Sequence, residues 1–545
     1  MQVVWFKRDL RVQDHAPLAM AAAHGPVLAL FIDEPGVLLA ADQSTQHALF
    51  RAECLAGLQA DLAQLGLGLQ RASGDAVTVL ERLHRLQAFT HLWSHEETGN
   101  ALTYERDQRV ALWCRTRGVA WQELPQHGVV RRLANRDGWA RRWAQRMYDG
   151  LVPVPATIRA APLLPALSAD WQPCVPAGID KPLRQRGGRP EALALLDSFL
   201  AGRGHDYRRA MSSPLSAEQA CSRLSPYLAL GVLSLRETVH ALTHRVEHWK
   251  DQPAAMCPPG MLASLRSFQG RLHWHCHFMQ KLESEPAIEF RNIHRGFDGL
   301  REDSFDRRLY LAWTRGETGL PMVDACLRML AATGWVNFRM RAMLVSFASY
   351  QLWLHWREPA LHLAREFLDF EPGIHYSQVQ MQSGVTGINT LRIYNPVKQA
   401  HDQDPQGVFV RHWLPELAAV PQAFLFQPWL MPIGVQRDCC VLLDQRYPMP
   451  VVDHEQAARL ARDRIHARRR DPAVREESNA VMEKHGSRKR TNDRAAAKSH
   501  ARSNERSSAR SSARSAKAAQ GAGARKRAAS GKPYTTQEGF DFGEG

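Results

Sequence analysis

The runs QVVWF (Gln2–Phe6), PVLALFI (Pro26–Ile32), GLQR (Gly68–Arg71), THLWS (Thr90–Ser94) and VAWQEL (Val119–Leu124) open the chain as five short, strand-like stretches. Between them, Gln46–Leu65 and Ala76–Leu86 carry apolar residues at helical spacing. This alternation is the pattern of a doubly wound parallel α/β sheet and predicts an α/β domain over residues 1–125. Residues 126–195 are rich in Pro, Gly and Arg with little periodicity, and read as an interdomain linker. From 196 to 470 the periodicity is helical almost throughout, which predicts a second, larger all-α domain. Beyond Asp471 the chain is mostly Ala, Ser, Arg, Lys and Gly, with repeats such as ARSSARSAK. Such repeats bury too little apolar surface to offset chain entropy, so 471–545 is expected to be a disordered basic tail.

At 545 residues the chain exceeds the size of one hydrophobic core, and 44% hydrophobic with 23% charged residues excludes a wholly disordered or collagenous protein. The net charge of +15 favours a polyanionic partner, nucleic acid first. The tail from Asp471 holds 16 Lys+Arg against 9 Asp+Glu, so nearly half of the excess lies outside the expected domains. That tail reads first as a solubilising or tolerated extension and second as a non-specific nucleic-acid arm. Nine scattered cysteines without a CxxC pair argue against a zinc ribbon and a disulfide framework. With no secretory signal and no long apolar run, the expectation is a soluble cytoplasmic protein that leaves membranes alone.

Neither GxGxxG after a strand nor GxxxxGK[ST] occurs. A different anion site is readable in CSRLSPYLALGVLSLRETVHAL (Cys221–Leu242): Ser225 stands as an N-cap, Pro226 as the first helical residue, and Ser222 and Arg223 flank the helix start. The same pattern serves as an ordinary capping device.

The segment WTRGETGLPMVDACLRMLAATGWVNFRMRAMLVSF (Trp313–Phe347) resembles the signature of the cryptochrome/photolyase family. VVWFKRDLRVQDHAPL near the start, SRLSPYLALGVLS, and LRIYNPVKQAHDQDPQGVFVRHWLPEL (Leu391–Leu417) resemble further family segments in the same order. The resemblance spans roughly residues 1–450 and implies an α/β antenna domain followed by a helical domain that buries FAD. Carried over by position, it implies that Tyr207, Cys221, Ser222, Arg223, Leu224 and Ser225 hold the phosphates and the adenosine side. It makes Arg341 and Asp369 an ion pair flanking the flavin ring, within the motif Asp369-Phe370-Glu371. His375 falls beside the flavin's redox-active nitrogen, where it would either donate a proton or bond the ring as a neutral acceptor. The resemblance also implies a UV-damaged DNA substrate, a monomeric protein, and a second antenna chromophore near Glu105 and Arg106.

Three departures from the family pattern stand out. Of the usual tryptophan relay only Trp356 is kept; the flavin-proximal position is Val379 and the outer one Asp303, with Trp335, Trp353 and Trp413 as candidate detours. In the DNA-facing segment RLHWHCH, Trp274 and its neighbour His275 follow Arg271, which replaces a carboxylate or amide. The family's His-Asn pair becomes Asn337-Phe338. His273 and His277 share a helix face but lack a third ligand at a recognisable spacing, so no metal site is expected. Light-driven repair of pyrimidine photoproducts by reduced FAD is therefore the leading expectation, with a cryptochrome-type photoreceptor acting on a protein partner as the alternative.

Overall fold

Strands β1 (Gln2–Phe6), β2 (Val27–Asp33), β3 (Leu69–Ser73), β4 (His91–His95) and β5 (Ala120–Leu124) pair in parallel in the order β3-β2-β1-β4-β5. Each of the five expected runs becomes a strand, and the helices Thr45–Gln64 and Ala76–Leu86 lie where the apolar spacing puts them. Because successive side chains alternate between faces, β1 serves two cores. Val4 and Phe6 join a cluster with Phe50 and Leu58 of the 45–64 helix, while Val3 and Trp5 face Leu80 and Val110 of the 76–86 and 101–117 helices.

The first of these clusters does not stop at the α/β domain. It continues through Tyr207, Leu224, Tyr227, Phe268 and Met279, so one side of the sheet shares its core with the helical part. A separate helical core is built around Trp313, Trp356 and Tyr376. Gly231, with φ of 61°, marks the closest approach of the two parts: a Cβ there would run into the Arg8 carbonyl. Hydrogen bonds seal the seam: Leu10 N–H donates to the Leu230 carbonyl at 3.1 Å, and the Arg11 side chain donates through Nη1 to that of Gly231 at 2.8 Å.

The coordinates are a computed structural model that describes residues 1–486 as one compact unit. The connection after β5 is more ordered than its composition suggests. It contains the helix Trp139–Tyr148, which buries Trp139, Trp143 and Met147 at i, i+4 and i+8, and near residue 160 it returns to pair with Val27. The boundary at 471 also falls one helix early. Pro472–His485 is helical, buries Val474 and Val481, and holds Glu477 against the backbone N–H groups of Arg295 and Gly296. His485 and Lys484 add hydrogen bonds to Glu285, and the two buried valines at i, i+7 are a signal hidden among the charges. The rest of the expected tail lies outside the described residues. Among the described residues, no helix is long and apolar enough to cross a membrane.

Candidate functional site

The loop between the helices Arg357–Glu366 and Pro372–Gln382 carries Asp369. Its carboxylate accepts from Arg341 in a bidentate pair, Nη1 to Oδ1 at 2.9 Å and Nη2 to Oδ2 at 3.0 Å. Arg341 is fixed by two further contacts: Nε donates to the Val336 carbonyl at 2.7 Å, and the guanidinium lies 4.1 Å from the Phe367 ring centre. Burial alone would raise the Asp369 pKa, but the charge and hydrogen bonds of Arg341, with help from the Ser225 hydroxyl, hold it below the usual carboxylate value.

Ser225 therefore has a different task from the one its sequence suggests. The helix starts at Ser225 itself, runs only to Ala229, and is capped at Leu224. A turn at Gly231 follows, and the next helix begins at Leu235 behind a Ser234–Glu237 capping box. Arg223 sits in the left-handed region at φ 61°, a costly conformation for a side-chain-bearing residue. It places its guanidinium 4.0 Å from the Trp335 ring centre, with Glu218 at 3.3 Å.

Cations converge on this spot. Burial pushes the Cys221 thiol up to about 11 against the opposing charges of Arg223, Arg203, Arg271 and Arg341. Arg203 is braced by the carbonyls of Gln219, Cys221 and Ser222. Arg271 hydrogen-bonds the buried Tyr207 hydroxyl, whose pKa burial lifts to about 12, and lies 5.7 Å from the Phe338 ring centre. Next to it, Asn337 Nδ2 donates to the Met211 and Ser212 carbonyls, while Asn337 Oδ1 is buried without a partner. Four guanidiniums answered chiefly by Asp369 and Glu218, plus an orphaned acceptor, form a donor set for a large anion that also carries hydrogen-bond donors.

The DNA photolyase family model matches residues 2–138, and the model for the FAD binding domain of DNA photolyase matches 268–467. A deoxyribodipyrimidine photo-lyase of Streptomyces griseus is 31% identical over 491 residues, covering 85% of this chain and 98% of that protein. The chain belongs to the DNA photolyase family. Cryptochrome DASH of Gloeobacter violaceus is 29% identical over 486 residues, 84% of this chain and 94% of its own length. Among solved structures, a bacterial class III photolyase from Agrobacterium tumefaciens superposes with a TM-score of 0.74 at 25% identity, over 86% of this chain and 98% of that one. The photolyase FAD-binding domain is thus present, and the cation cluster fits the dianionic pyrophosphate of FAD.

Within this photolyase fold, the expected residues separate into groups. Tyr207, Cys221, Arg223, Ser225, Arg271, Asn337, Phe338, Arg341 and Asp369 are linked by the contacts above. Glu371 turns away: its carboxylate is paired with Arg8 of the α/β domain at 2.7 Å, and burial pushes its pKa up to about 7 despite that charge. Phe370 stands between the regions, 5.2 Å from the His375 ring centre and 6.4 Å from that of His47. His375 Nε2 donates to the Ala360 carbonyl at 2.8 Å, and burial lowers its pKa to about 4, so the ring is neutral and offers only Nδ1 as an acceptor. Trp274 stacks on Phe278 at 5.5 Å. His275 faces the domain seam, where burial and then the charge of Arg8 lower its pKa to about 4.

Trp356 is fully buried, donates to Asn292 Oδ1 at 2.7 Å, and lies 6.5 Å from the Tyr376 ring centre. Val379 is buried and Asp303 exposed. The detour candidate Trp353 lies between Arg301 and Arg464, at 4.5 and 4.8 Å from its ring. Trp335 has Arg223 on its face. Oxidising an indole creates positive charge, which adjacent guanidiniums oppose.

In the α/β domain, Arg106 is buried between Glu34 at 2.9 Å and Glu97 at 2.5 Å, whereas Glu105 is exposed. Arg106, Glu34, Arg8, His47 and Phe370 line one cavity of about 120 Å³ between the sheet and the helical part. Sequence reading missed Arg203, Arg8 and His47. Arg8 lies inside the opening VVWFKRDLRV segment, but no local signal marks His47. A further group, Asp9, His15 and His95, brings three ligand-type atoms together. His15 Nδ1 accepts from the Leu18 N–H, so Nε2 keeps its proton and donates to Asp9, making the group a hydrogen-bonded triad.

Proposed function

We propose that the protein is a light-driven deoxyribodipyrimidine photo-lyase that acts on DNA carrying pyrimidine photoproducts. The observation that carries this reading is the bidentate Arg341–Asp369 pair opening onto the cation cluster around Cys221. Tyr207, Cys221, Ser222, Arg223, Leu224 and Ser225 hold the phosphate and adenosine side of FAD, and Arg341, Asp369, Phe370 and His375 flank its ring. When bound, FAD supplies the light-absorbing electron donor that splits the photoproduct. Arg341 stabilises negative charge at the ring edge, and Asp369 keeps that buried cation paired. His375 orients the ring through Nδ1, since its other nitrogen holds Ala360. The Trp274–Phe278 stack offers a platform for an extruded base, with Arg271 on the same helix and the exposed Phe338 against it, while the buried Asn337 fixes the Met211 and Ser212 carbonyls behind them.

Incubation of photodamaged oligonucleotides with the reduced protein, in light and in darkness, tests this reading. Light-dependent loss of cyclobutane or (6-4) lesions is expected; no such loss leaves a cryptochrome-type photoreceptor. One structural feature favours that second reading: Val379 and Asp303 interrupt the relay, while Trp353 and Trp335 carry cations on their faces. Arg271→Glu should weaken DNA binding and lower its salt slope by about one if Arg271 meets a phosphate.

A further inference from the structure

The segment leading to Asp369 is held from outside the helical domain. The helix Arg357–Glu366 ends just before Asp369, and its last carbonyls have no intrahelical donors. Side chains at the start of the Thr45–Gln64 helix, in the α/β domain, supply them. Ser44 Oγ donates to the Arg365 carbonyl at 2.7 Å, and Gln46 Nε2 to those of Arg365 at 2.7 Å and Glu366 at 2.9 Å. His47 Nδ1 accepts from the Ser44 N–H, so Nε2 carries the hydrogen and donates to the Phe367 carbonyl at 2.8 Å. The amino end of one helix thus caps the carboxyl end of another, with the two dipoles in favourable order. On the far side of Asp369, Arg8 donates to the Ala229 carbonyl at 3.0 Å and to Glu371 at 2.7 and 3.3 Å.

We propose that His47 and Arg8 are positioning residues of the flavin site, acting through the chain segment 365–371 that presents Asp369 to Arg341. This rests on the reading that Asp369 and Arg341 flank the flavin. Three clamped carbonyls before Asp369 and one ion pair after it leave the carboxylate little freedom, so the affinity and potential of the flavin depend on contacts from the other domain. The same His47 and Arg8 line the 120 Å³ cavity, so whatever fills that cavity touches the clamp directly.

The test uses the full-length protein and two readouts, FAD affinity by fluorescence titration and flavin midpoint potential by dye equilibration, with thermal melting as the folding control. His47→Leu leaves the Phe367 carbonyl without its donor and should weaken FAD binding about tenfold with a shifted potential. His47→Gln, which keeps a donor there, should restore both. Arg8→Met should act in the same direction, with Arg8→Lys partly restoring it. If His47→Leu fails to fold, the Arg8 pair decides. Folded His47→Leu and Arg8→Met proteins with wild-type affinity and potential would overturn the proposal. Asp369→Asn separates the two levels: if it changes neither readout, the flavin-flanking reading itself fails, whereas a change confined to Asp369→Asn removes only the role of His47 and Arg8.

Discussion

Asp369 and Glu371 sit two residues apart, each is buried, and each faces an arginine, yet they titrate in opposite directions. Asp369 receives two parallel hydrogen bonds from Arg341 and one from Ser225, and its pKa falls. Glu371 receives the fork of Arg8 with one long arm, 3.3 Å against 2.7 Å, and feels the like charge of Glu97; burial prevails and its pKa rises to about 7. One carboxylate is built to stay charged beside its arginine. Its neighbour is built to tolerate neutrality at a domain seam. The motif keeps both charges in sequence, but the fold assigns them to different partners, and geometry around the arginine decides which remains an anion.

The largest effect expected from this contrast is that of Asp369→Asn. Removing one partner of a buried pair leaves Arg341 uncompensated, a loss of roughly 3–5 kcal/mol, so FAD affinity should fall on the order of a hundredfold or more. Fluorescence titration would show it.

Glu371→Gln, which weakens the Arg8 pair behind Asp369, should lower FAD affinity far less than Asp369→Asn does, and should change the pH dependence of stability. A carboxyl whose folded pKa is raised stabilises the fold below the unfolded value near 4.5 and loses that contribution as pH climbs through about 7. The variant should therefore match the wild type near pH 4.5 and gain on it up to about 3 kcal/mol above pH 7. Melting curves at several pH values would measure this, and a constant difference would contradict the assignment. His375→Asn gives the opposite slope. The lowered histidine pKa stabilises the fold fully above 6.5 and is lost as pH falls toward about 4. The variant should gain about 2 kcal/mol relative to the wild type between pH 7 and pH 5. The smallest effect is that of Trp356→Phe, which loses the bond to Asn292 and should cost about 1 kcal/mol, while slowing photoreduction if Trp356 passes electrons.

The α/β sheet was legible because parallel strands buried on both faces read as continuous apolar runs, as QVVWF and PVLALFI do. Arg341 and Asp369 were legible through family resemblance. Ser225 was misplaced as a cap because S-x-x-S-P looks like a helix start, and nothing local reveals that its hydroxyl turns to a carboxylate on a distant loop. Glu371 was placed with the flavin because motif charge carries no direction. The clamp by Ser44, Gln46 and His47 had no signature because its partners are main-chain carbonyls, which no side-chain pattern encodes. The helix after Asp471 was hidden for another reason: two buried valines in a run of charges give little periodic signal.

That the site around Arg341 and Asp369 holds FAD is tested most directly by denaturing the purified protein and quantifying the flavin it releases, beside the Asp369→Asn variant. Stoichiometric FAD from the wild type and its loss from a folded variant are expected. A wild-type protein without releasable flavin, or a variant that retains it in full, would contradict the assignment.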